Sequence, residues 1–494
     1  MSVAWPGSRR HWLLAVALVL LYACALQGVR PLYSPDEGRY TNVALEMLDS
    51  GDWLHPQLHR EVPHWSKPPL TYWALAASFG VFGRHEFAAR LPGALAFAGT
   101  ILLLLRLGRR FTPPQPWLPA LVYATFLFPP LAANLVTTDT LLTLWETLQV
   151  AAFVELWWAA TPDAARRARR LLGLAAGLAF MTKGPPGLLA LAGCLVFAFW
   201  SERGRGLARV AGWDLVAMFL LVGGSWYAVV VLQDPRVLHY FLVEEVVNRV
   251  ASEKMHRNAE WYGAFKVYGP TLLLGTLPWL PVLAAGAWRH RRDVLATLRA
   301  DAPLRLLACW LLLPLAVFML SRSRLPLYVL PLFAPLALLV ARRLVPFARG
   351  ACWPYVLLAA WALALVGARA LPAWLDVPDD DGRLAHDLRA ELAFTPAEVI
   401  FVETAPRFGL RFYLGSPIER VGLPGRPPRP QSQDLLSELA EPEGCRVMLV
   451  EPADRADLEQ ALTTAGVAWL RLPDVRRYAV LAPATRDCTV HAPR

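Results

Sequence analysis

Long apolar runs, separated by short polar stretches, dominate the chain from residue 11 to residue 371. Many of them reach the ~20 residues that an α-helix needs to cross the ~30 Å hydrocarbon core of a bilayer. The pattern predicts a polytopic α-helical membrane protein with about eleven to thirteen spans, depending on how the short or proline-interrupted pairs are divided. The predicted spans are 11–29, 87–108, 117–134, 139–159, 171–182, 185–200, 211–232, 268–288, 303–320, 325–341 and 352–371.

Arginine clusters between the apolar runs predict the orientation of the chain. With a cytoplasmic N-terminus, all of these clusters face the cytoplasm, as the positive-inside rule requires. The run Pro69–Phe82 is too short for a full span and would invert every later loop if counted as one, so we expect a re-entrant or interfacial helix there. The first run follows Arg9 and Arg10 and predicts a retained signal anchor. The clusters are 106–110, 166–170, 203–209, 289–292 and 342–349.

The pattern changes after residue 371. Short β-rich runs appear at Val399–Val402, Arg446–Val450 and Tyr478–Leu481, with a helical stretch, Arg455–Ala465, between the last two. They predict a small α/β domain on the outer face of the membrane. The predicted division is a membrane domain, 1–371, with outer loops 30–68 and 233–267, followed by a periplasmic α/β domain, 372–494.

Composition agrees with this class. Apolar residues make up 56% of the chain and the mean hydropathy is +0.37. The net charge of +10 comes from short clusters between apolar runs, which is typical of topology signals, so we expect no nucleic-acid partner. Cys445 and Cys488 share the outer domain, where an oxidising compartment would permit a disulfide, but the sequence does not give their separation.

The first outer loop begins with an acidic motif, Ser34-Pro35-Asp36-Glu37-Gly38. Ser34, with Glu37 three residues later, predicts a capping box and a helix from about Pro35 to Leu48. On that helix Asp36 shares the apolar stripe of Tyr40, which favours a carboxylate that meets a ligand. The alternative is that both acids only neutralise the positive helix N-terminus.

Cationic and phenolic side chains recur on the predicted outer face. Lys67 is expected at the depth of the lipid headgroups. Its ammonium group could bind a phosphate there, or it could be an ordinary lysine whose side chain extends to the membrane surface. Lys183 interrupts two apolar runs and must lie at the outer boundary or face a polar cavity. Arg324 and Tyr328 add a guanidinium group for phosphate and a phenol, and Asp139 opens a helix after two threonines. Five histidines in the two outer loops, among them His64 and His256, match no metal-ligand spacing, so they are only weak candidates for a metal site.

A lipid-linked phosphate explains this mixture of carboxylates and cations beside membrane spans better than a soluble substrate does. The sequence contains no phosphate-binding glycine loop, no dinucleotide fingerprint and no zinc helix of the HExxH type. These absences argue against an ATP-driven pump and a membrane metalloprotease.

Several separate motifs resemble one family. Residues 35–40 (PDEGRY), 47–53 (MLDSGDW), 66–70 (SKPPL) and 87–92 (FAARLP) follow in the order and spacing of the family 39-like, GT-C-fold glycosyltransferases. Within that family the aminoarabinose transferases that modify lipid A are similar, and the protein mannosyltransferases are more distant. The resemblance covers most of the membrane domain and fades in the outer domain.

The resemblance implies an integral enzyme of the bacterial inner membrane that transfers a sugar, with inversion, from a polyprenyl-phosphate carrier to a lipid A or other envelope acceptor on the periplasmic face. It implies that Asp36 is the first-loop catalytic carboxylate, that Asp139 is its second-loop partner and that Glu37 belongs to the same acidic pair. The groups it implies for the carrier phosphate are Lys67, Arg249 and Tyr328, to which the residue pattern adds Lys183 and Arg324.

Two departures and two rival hypotheses accompany this resemblance. Ser66 replaces the glutamate that precedes the Lys-Pro pair in aminoarabinose transferases. Because a metal site could depend on that glutamate, whether a divalent metal binds is an open question. Gly38 replaces an expected aromatic residue. A protein O-mannosyltransferase-like enzyme would take a polypeptide acceptor. A transporter or flippase for a lipid-linked sugar would use Asp36 and the cations only for binding, although the internal repeats common in transporters are not evident.

Overall fold

The structure is a computed structural model. It describes residues 9–59, 62–247, 257–346, 353–392, 394–427, 432–441 and 445–484. The chain divides into two compact units. The membrane unit consists of residues 1–27, 65–74 and 90–371, and the second unit, here called the α/β unit, consists of residues 28–64, 75–89 and 372–494. The first outer loop, which the sequence analysis assigned to the membrane domain, therefore clusters with the C-terminal residues.

Helices make up most of the membrane unit. Two helices, α3 (Leu70–Phe82) and α4 (Glu86–Phe111), have residues in both units. The remaining helices of the membrane unit are α1 (Arg9–Cys24), α5 (Leu118–Thr125), α6 (Phe128–Ala132), α7 (Asp139–Trp157), α8 (Pro162–Lys183), α9 (Leu189–Val210), α10 (Trp213–Phe219), α11 (Ser225–Gln233), α12 (Arg236–His239), α13 (Gly263–Gly275), α14 (Leu280–His290), α15 (Val294–Ala300), α16 (Ala302–Leu320), α17 (Phe333–Leu344) and α18 (Trp353–Ala370).

Six helical segments among the described residues are long and apolar enough to cross a membrane, and a seventh is added if the bent pair α13–α14 is one span. The chain is thus a polytopic membrane protein, as predicted. The six segments are Glu86–Phe111, Pro185–Val210, Trp213–Gln233, Ala302–Leu320, Pro326–Leu344 and Tyr355–Trp374.

Several predicted spans have a different form in the structure. The predicted span 117–134 is two short helices, α5 and α6, and 268–288 lies within the pair α13 and α14, whose axes are bent by 105°. The predicted span 171–182 is the second half of the longer helix α8, which also includes the arginine cluster before it. Helix α3 has nearly the bounds of the short helix predicted at Pro69–Phe82, and its interfacial location stays a prediction.

Helix α8 packs closely on α10 and on the π-helical turn that follows it, Leu220–Gly224. A Cβ atom at Gly173 would lie 2.4 Å from the carbonyl oxygen of Leu215, and one at Gly177 would lie 2.9 Å from the backbone nitrogen of Gly223. Only glycine allows the helices to approach this closely at these two positions. The hydroxyl of Thr161 caps the first turn of α8 by accepting a hydrogen bond from the backbone N–H of Ala164 (3.2 Å).

A six-stranded mixed sheet with helices forms the C-terminal part of the α/β unit. Its strand order is β5-β4-β3-β6-β8-β7. Strands β5, β4, β3 and β6 are parallel, β8 pairs antiparallel with β6, and β7 pairs antiparallel with β8. The strands are β3 (Glu398–Val402), β4 (Ile418–Gly422), β5 (Gln433–Asp434), β6 (Arg446–Val450), β7 (Trp469–Val475) and β8 (Tyr478–Pro483), and β1 (Gln57–His59) and β2 (Val62–Pro63) form a separate hairpin. The helices of this unit are α2 (Asp36–Ser50), α19 (Asp381–Glu391), α20 (Leu410–Leu414), α21 (Leu435–Ala440) and α22 (Arg455–Thr464).

The predicted α/β fold is confirmed. The three runs named from sequence are β3, β6 and β8, and the predicted helical stretch is α22. Strands β3 and β6 are buried along their whole length, which explains why their continuous apolar runs were recognisable. Cys445 is disulfide-bonded. Its suggested partner, Cys488, lies outside the described residues.

Candidate active site

The membrane unit holds a buried ion pair between Lys183 and Asp139. The Nζ atom of Lys183 donates to Oδ1 of Asp139, and both side chains are more than nine-tenths buried. The same ammonium group lies 4.2 Å from the centroid of the Tyr328 ring, where a cation–π contact stabilises it. Three of the residues predicted from sequence therefore meet in the membrane unit.

The ends of three helical segments bring these side chains together. Asp139 is the first residue of α7, and Lys183 is the last residue of α8. Gly184 ends α8 with φ +70°, a backbone conformation that favours glycine, and the turn Pro185–Leu188 follows. Tyr328 lies in the 3₁₀ segment Pro326–Leu332. Helix ends are suited to polar sites because the backbone groups of the first and last turns have no partner within the helix.

Sequence reasoning missed two polar residues of this group. Glu146 follows Asp139 by two helical turns, is buried, and experiences the charges of both Lys183 and Asp139. The hydroxyl of Tyr268 is also buried and has no hydrogen-bond partner within the described residues. A glutamate within the apolar run that follows Asp139 was the available signal, because a buried acid at membrane depth is costly unless it has a role.

Lys67 lies in a different motif of the membrane unit. Its ammonium group donates to the carbonyl oxygen of Ser66 (2.7 Å) and is half-buried. Two residues earlier, the Trp65 ring lies 6.1 Å from the Trp226 ring, and the Trp226 ring lies 4.9 Å from that of Tyr227. Met181, near the end of α8, packs in the same cluster. An aromatic cluster therefore connects the Lys67 motif with the end of α8 that carries Lys183.

The guanidinium group of Arg324 contacts the protein backbone, and its role toward a phosphate stays a prediction. Its Nη1 donates to the carbonyl oxygens of Asn258 (2.7 Å) and Glu260 (2.8 Å), and the side chain is buried. The guanidinium group thereby fixes the backbone that precedes α13. The prediction for Arg249 and the metal suggestion for His256 fall outside the described residues.

In the α/β unit, Asp36 is the first residue of α2 and Glu37 is the second. Asp36 is half-exposed and pairs with Arg39. Glu37 is buried and accepts two hydrogen bonds from the Arg30 guanidinium group, at 2.6 and 2.9 Å, and a third from the backbone N–H of Tyr33 (3.0 Å). The two adjacent acids therefore have different environments, and only Asp36 remains accessible.

The predicted capping box is wrong. No side chain caps the start of α2. The Ser34 hydroxyl instead donates to the Asp381 carboxylate, with distances of 2.8 and 2.9 Å to its two oxygens, and Arg407 Nε donates to Oδ1 of the same group (2.6 Å). Burial raises the pKa of Asp381 to about 6, although the charge of Arg407 opposes the shift.

This packing gives a physical reason for Gly38. A Cβ atom there would lie 2.5 Å from the backbone nitrogen of Gly409 and 2.9 Å from Oδ2 of Asp381. An aromatic side chain, as expected from the family resemblance, does not fit in this space. His64 also lies in this unit and is buried, but it is not part of the one cluster of three or more metal-binding side chains that the described residues contain.

The fold and the polar sites define a class of protein: a polytopic membrane protein of the GT-C type with a C-terminal α/β unit. The fold is that of ArnT from Cupriavidus metallidurans. The structure of that protein bound to undecaprenyl phosphate matches with a TM-score of 0.77 and 20% identity, over 99% of this chain and 100% of the other. The structure of the same protein in the apo state gives a TM-score of 0.75 and 18% identity, with the same coverage.

Sequence comparison agrees with the structural match. The profile of the family described as dolichyl-phosphate-mannose-protein mannosyltransferase matches residues 66–227, which include Lys67, Asp139 and Lys183. The undecaprenyl phosphate-alpha-4-amino-4-deoxy-L-arabinose arabinosyl transferase of Pseudomonas aeruginosa (strain UCBPP-PA14) is 35% identical over 348 residues, 68% of this chain and 60% of the relative. The protein of the same name from Shewanella sediminis (strain HAW-EB3) is 34% identical over 66% of this chain and 58% of the relative.

The chain thus spans about 60% of the length of the curated relatives that it matches. It resembles the GT-C glycosyltransferases, ArnT among them, and the helical spans together with this likeness indicate a multi-pass inner-membrane protein.

Proposed function

We propose that the chain is an inverting glycosyltransferase that moves a sugar from a polyprenyl-phosphate carrier to lipid A or another envelope acceptor. The observation that carries the proposal is the buried Lys183 ammonium group, which lies between Asp139 and the Tyr328 ring within the helical membrane unit. The relatives are named as transferases that use undecaprenyl-phosphate aminoarabinose, which supports the same donor class.

The chemistry explains why a cation is needed within the membrane. In the transfer, the bond between C1 of the sugar and the phosphate oxygen breaks, and the phosphate leaves with the electron pair. Negative charge therefore grows on the phosphate, and a fixed ammonium group in a water-poor site stabilises that charge strongly. We assign this role to Lys183, with Lys67 as a second phosphate ligand and Tyr328 as a hydrogen-bond donor. Asp139 holds the Lys183 ammonium group in place through the buried ion pair.

The acceptor requires a different group. Asp36 is half-exposed, and its carboxylate suits an incoming nucleophile. If the acceptor is a hydroxyl, its oxygen forms the new bond to C1 and its proton passes to Asp36. An ionised phosphate acceptor brings no proton, and Asp36 then only orients it. Because Glu37 is already saturated by Arg30 and a backbone N–H, we assign it a positioning role.

The proposal includes an orientation. The positive-inside pattern supports a cytoplasmic N-terminus in a bacterium, with the reaction and the C-terminal α/β domain in the periplasm. A lipid carrier and an envelope acceptor are both available on that side of the inner membrane.

A protein acceptor is the second candidate. It is favoured by the family profile, whose description is a protein mannosyltransferase that uses a dolichyl-phosphate sugar. The two candidates share the donor chemistry and differ only in the acceptor.

The test is a transfer assay with purified full-length protein in nanodiscs. Labelled sugars on a panel of polyprenyl-phosphate carriers are offered together with an extracted envelope lipid or with an unstructured peptide rich in Ser and Thr. We expect label to move to the lipid, and we expect Asp36→Asn to reduce the rate by at least about 100-fold, the scale of a lost catalytic group. Lys266→Ala removes an exposed lysine of α13 and serves as the control with an unchanged rate.

The outcomes separate the hypotheses. Label on the peptide identifies the protein glycosyltransferase. A donor that binds or crosses the bilayer without being consumed contradicts the transferase proposal and identifies a transporter.

A further inference from the structure

Three glutamates of the α/β unit converge at one place in its core. Glu398 begins β3, Glu419 lies on the neighbouring strand β4, and Glu438 lies on α21. One carboxylate oxygen from each lies within 4.8 Å of the others. The three residues come from three separate elements and are brought together only by the fold.

The strand register explains the convergence. Glu419 pairs with Ile400, which lies two residues after Glu398 and on the same face of the sheet. Leu435 of α21 belongs to the apolar cluster on that face, so α21 packs against the same face of β3 and β4. The cluster therefore lies where a helix closes over two parallel strands.

The carboxylates are buried without adequate hydrogen bonding. Glu438 is 0% exposed, and neither of its carboxylate oxygens has a hydrogen-bond partner in the described part of the chain. Oε2 of Glu398 and Oε2 of Glu419 are also buried without such a partner. Buried carboxylate oxygens that point into a shared space and accept no hydrogen bond are energetically costly unless a cation or protons compensate them.

One cation of the protein compensates only part of this charge. Arg446 Nε lies 3.4 Å from Glu398 and 3.5 Å from Glu438, beyond good hydrogen-bond distance, and its Nη atoms donate to the backbone carbonyls of Glu438 (2.6 Å) and Glu441 (3.1 Å). His59 Nδ1 lies 3.2 Å from Glu419.

Three carboxylates and one guanidinium group leave an excess of two negative charges in a buried place. Either two protons or one divalent cation would neutralise the cluster. Two protons would form hydrogen bonds between the carboxyl groups. One divalent cation would need oxygen ligands at metal-binding spacing.

We propose that Glu398, Glu419 and Glu438 bind one hard divalent cation, with Ca²⁺ as the best fit. All-oxygen carboxylate ligands are those that Ca²⁺ prefers, at about 2.3–2.6 Å, and two ligands on opposite sides of such an ion lie about 4.6–5.2 Å apart. A spread of 4.8 Å thus allows a single ion to contact all three groups. Mg²⁺ requires shorter distances of about 2.0–2.1 Å and stricter octahedral geometry.

The cation joins β3, β4 and α21, so its role is structural: it stabilises the part of the sheet where α21 closes over the strands. This site is independent of the proposed transferase chemistry, because none of its three ligands belongs to the catalytic or phosphate-binding groups assigned above.

The test uses full-length protein in detergent, stripped with EDTA and then titrated with Ca²⁺ or Mg²⁺. Isothermal titration is expected to show one Ca²⁺ per chain, and thermal unfolding is expected to shift upward with Ca²⁺ concentration, because a ligand that binds only the folded state stabilises it. Glu438→Gln should weaken Ca²⁺ binding by at least about ten-fold, since it removes one charged ligand. Glu391→Gln alters an exposed carboxylate at the end of α19 and is the matched control.

Glu419→Gln, at the partly exposed edge of the cluster, provides a second ligand variant if Glu438→Gln does not fold. The proposal is overturned if the wild-type protein shows no Ca²⁺ response after EDTA. A Glu438→Gln protein at least as stable as the wild type, without any cation effect on either, would mean that protons hold the cluster, because the amide imitates a protonated acid. A response to Mg²⁺ with none to Ca²⁺ would contradict the assignment of the ion.

Discussion

The carboxylate of Asp139 and the ammonium group of Lys183 form an ion pair buried within the helices of the membrane unit. The two residues are 44 positions apart and come from the ends of different helices. Desolvation makes such a pair a weak source of net stability, while the loss of one partner leaves an uncompensated buried charge. The pair is therefore better explained by a requirement for a fixed charge than by stability alone.

This account predicts that stability and activity respond differently to removal of the pair. Lys183→Met should lower the free energy of unfolding by about 3–5 kcal/mol, because it leaves the buried carboxyl group of Asp139 without its partner. The double variant Asp139→Asn, Lys183→Met should recover most of that stability but no transfer activity. Thermal unfolding and the transfer rate, measured on the same nanodisc preparations, check the prediction. Recovery of activity in the double variant would show that the charge of Lys183 is not needed.

The contact between Gly38 and Gly409 predicts a steric effect. Gly38→Ala places a Cβ atom 2.5 Å from a backbone nitrogen, so we expect a loss of about 1–3 kcal/mol in stability, as is typical of overpacking. Gly367→Ala is the control, because a Cβ atom at that helical position meets no other atom within 4 Å. Thermal unfolding of the two variants should separate them clearly. Equal stability would mean that the backbone around Gly409 yields without cost.

Asp381 predicts a pH dependence of stability. Burial raises its pKa in the folded protein from 3.8 to about 6, while Arg407 and Ser34 oppose the shift and the charge of Glu37 adds to it. A folded-state pKa above the unfolded value means that the folded protein binds the proton more tightly. The stabilising contribution is then fully present below about pH 4 and is lost as the pH rises through about 6.

The measurement is the unfolding midpoint of the wild type and of Asp381→Asn between pH 4 and pH 7.5. The amide does not titrate, so the stability of the wild type relative to the variant should fall with rising pH across this window. The expected change is on the order of 1–3 kcal/mol. A difference that is constant, or that grows with pH, would contradict the raised pKa.

Local patterns predicted much of the fold. Helix α3 was expected because its apolar run is too short to span a bilayer, and β3, β6 and β8 because buried strands have continuous apolar runs. Strand β4 was missed because its sequence, IERVG, has two charged residues, and one of them, Glu419, points into a buried cluster. Strand β7 contains Pro473 and lies at the sheet edge, which is where proline is tolerated.

The polar sites were predictable as single residues and not as contacts. Lys183 was identified from the cost of a charge within an apolar region, and Asp139 and Tyr328 were named as site candidates, but sequence does not show which side chains meet in space. The Ser34–Asp381 hydrogen bond joins residues 347 positions apart and replaced the local capping box that the motif suggested. The backbone contacts of Arg324 could not be foreseen, because its acceptors are carbonyl oxygens, which have no signature in the sequence.

The most direct measurement is the affinity for polyprenyl phosphate and the rate of sugar transfer in Lys183→Met, with Lys266→Met as the control at an exposed position of the same unit. The account predicts that Lys183→Met lowers the transfer rate by about 100–1,000-fold at saturating donor, the scale expected when a group that stabilises the leaving phosphate is lost. It also predicts weaker binding of the carrier phosphate, while Lys266→Met changes neither quantity. A folded Lys183→Met protein that binds polyprenyl phosphate and transfers sugar as the wild type does would contradict the central claim that this buried ammonium group acts on the carrier phosphate.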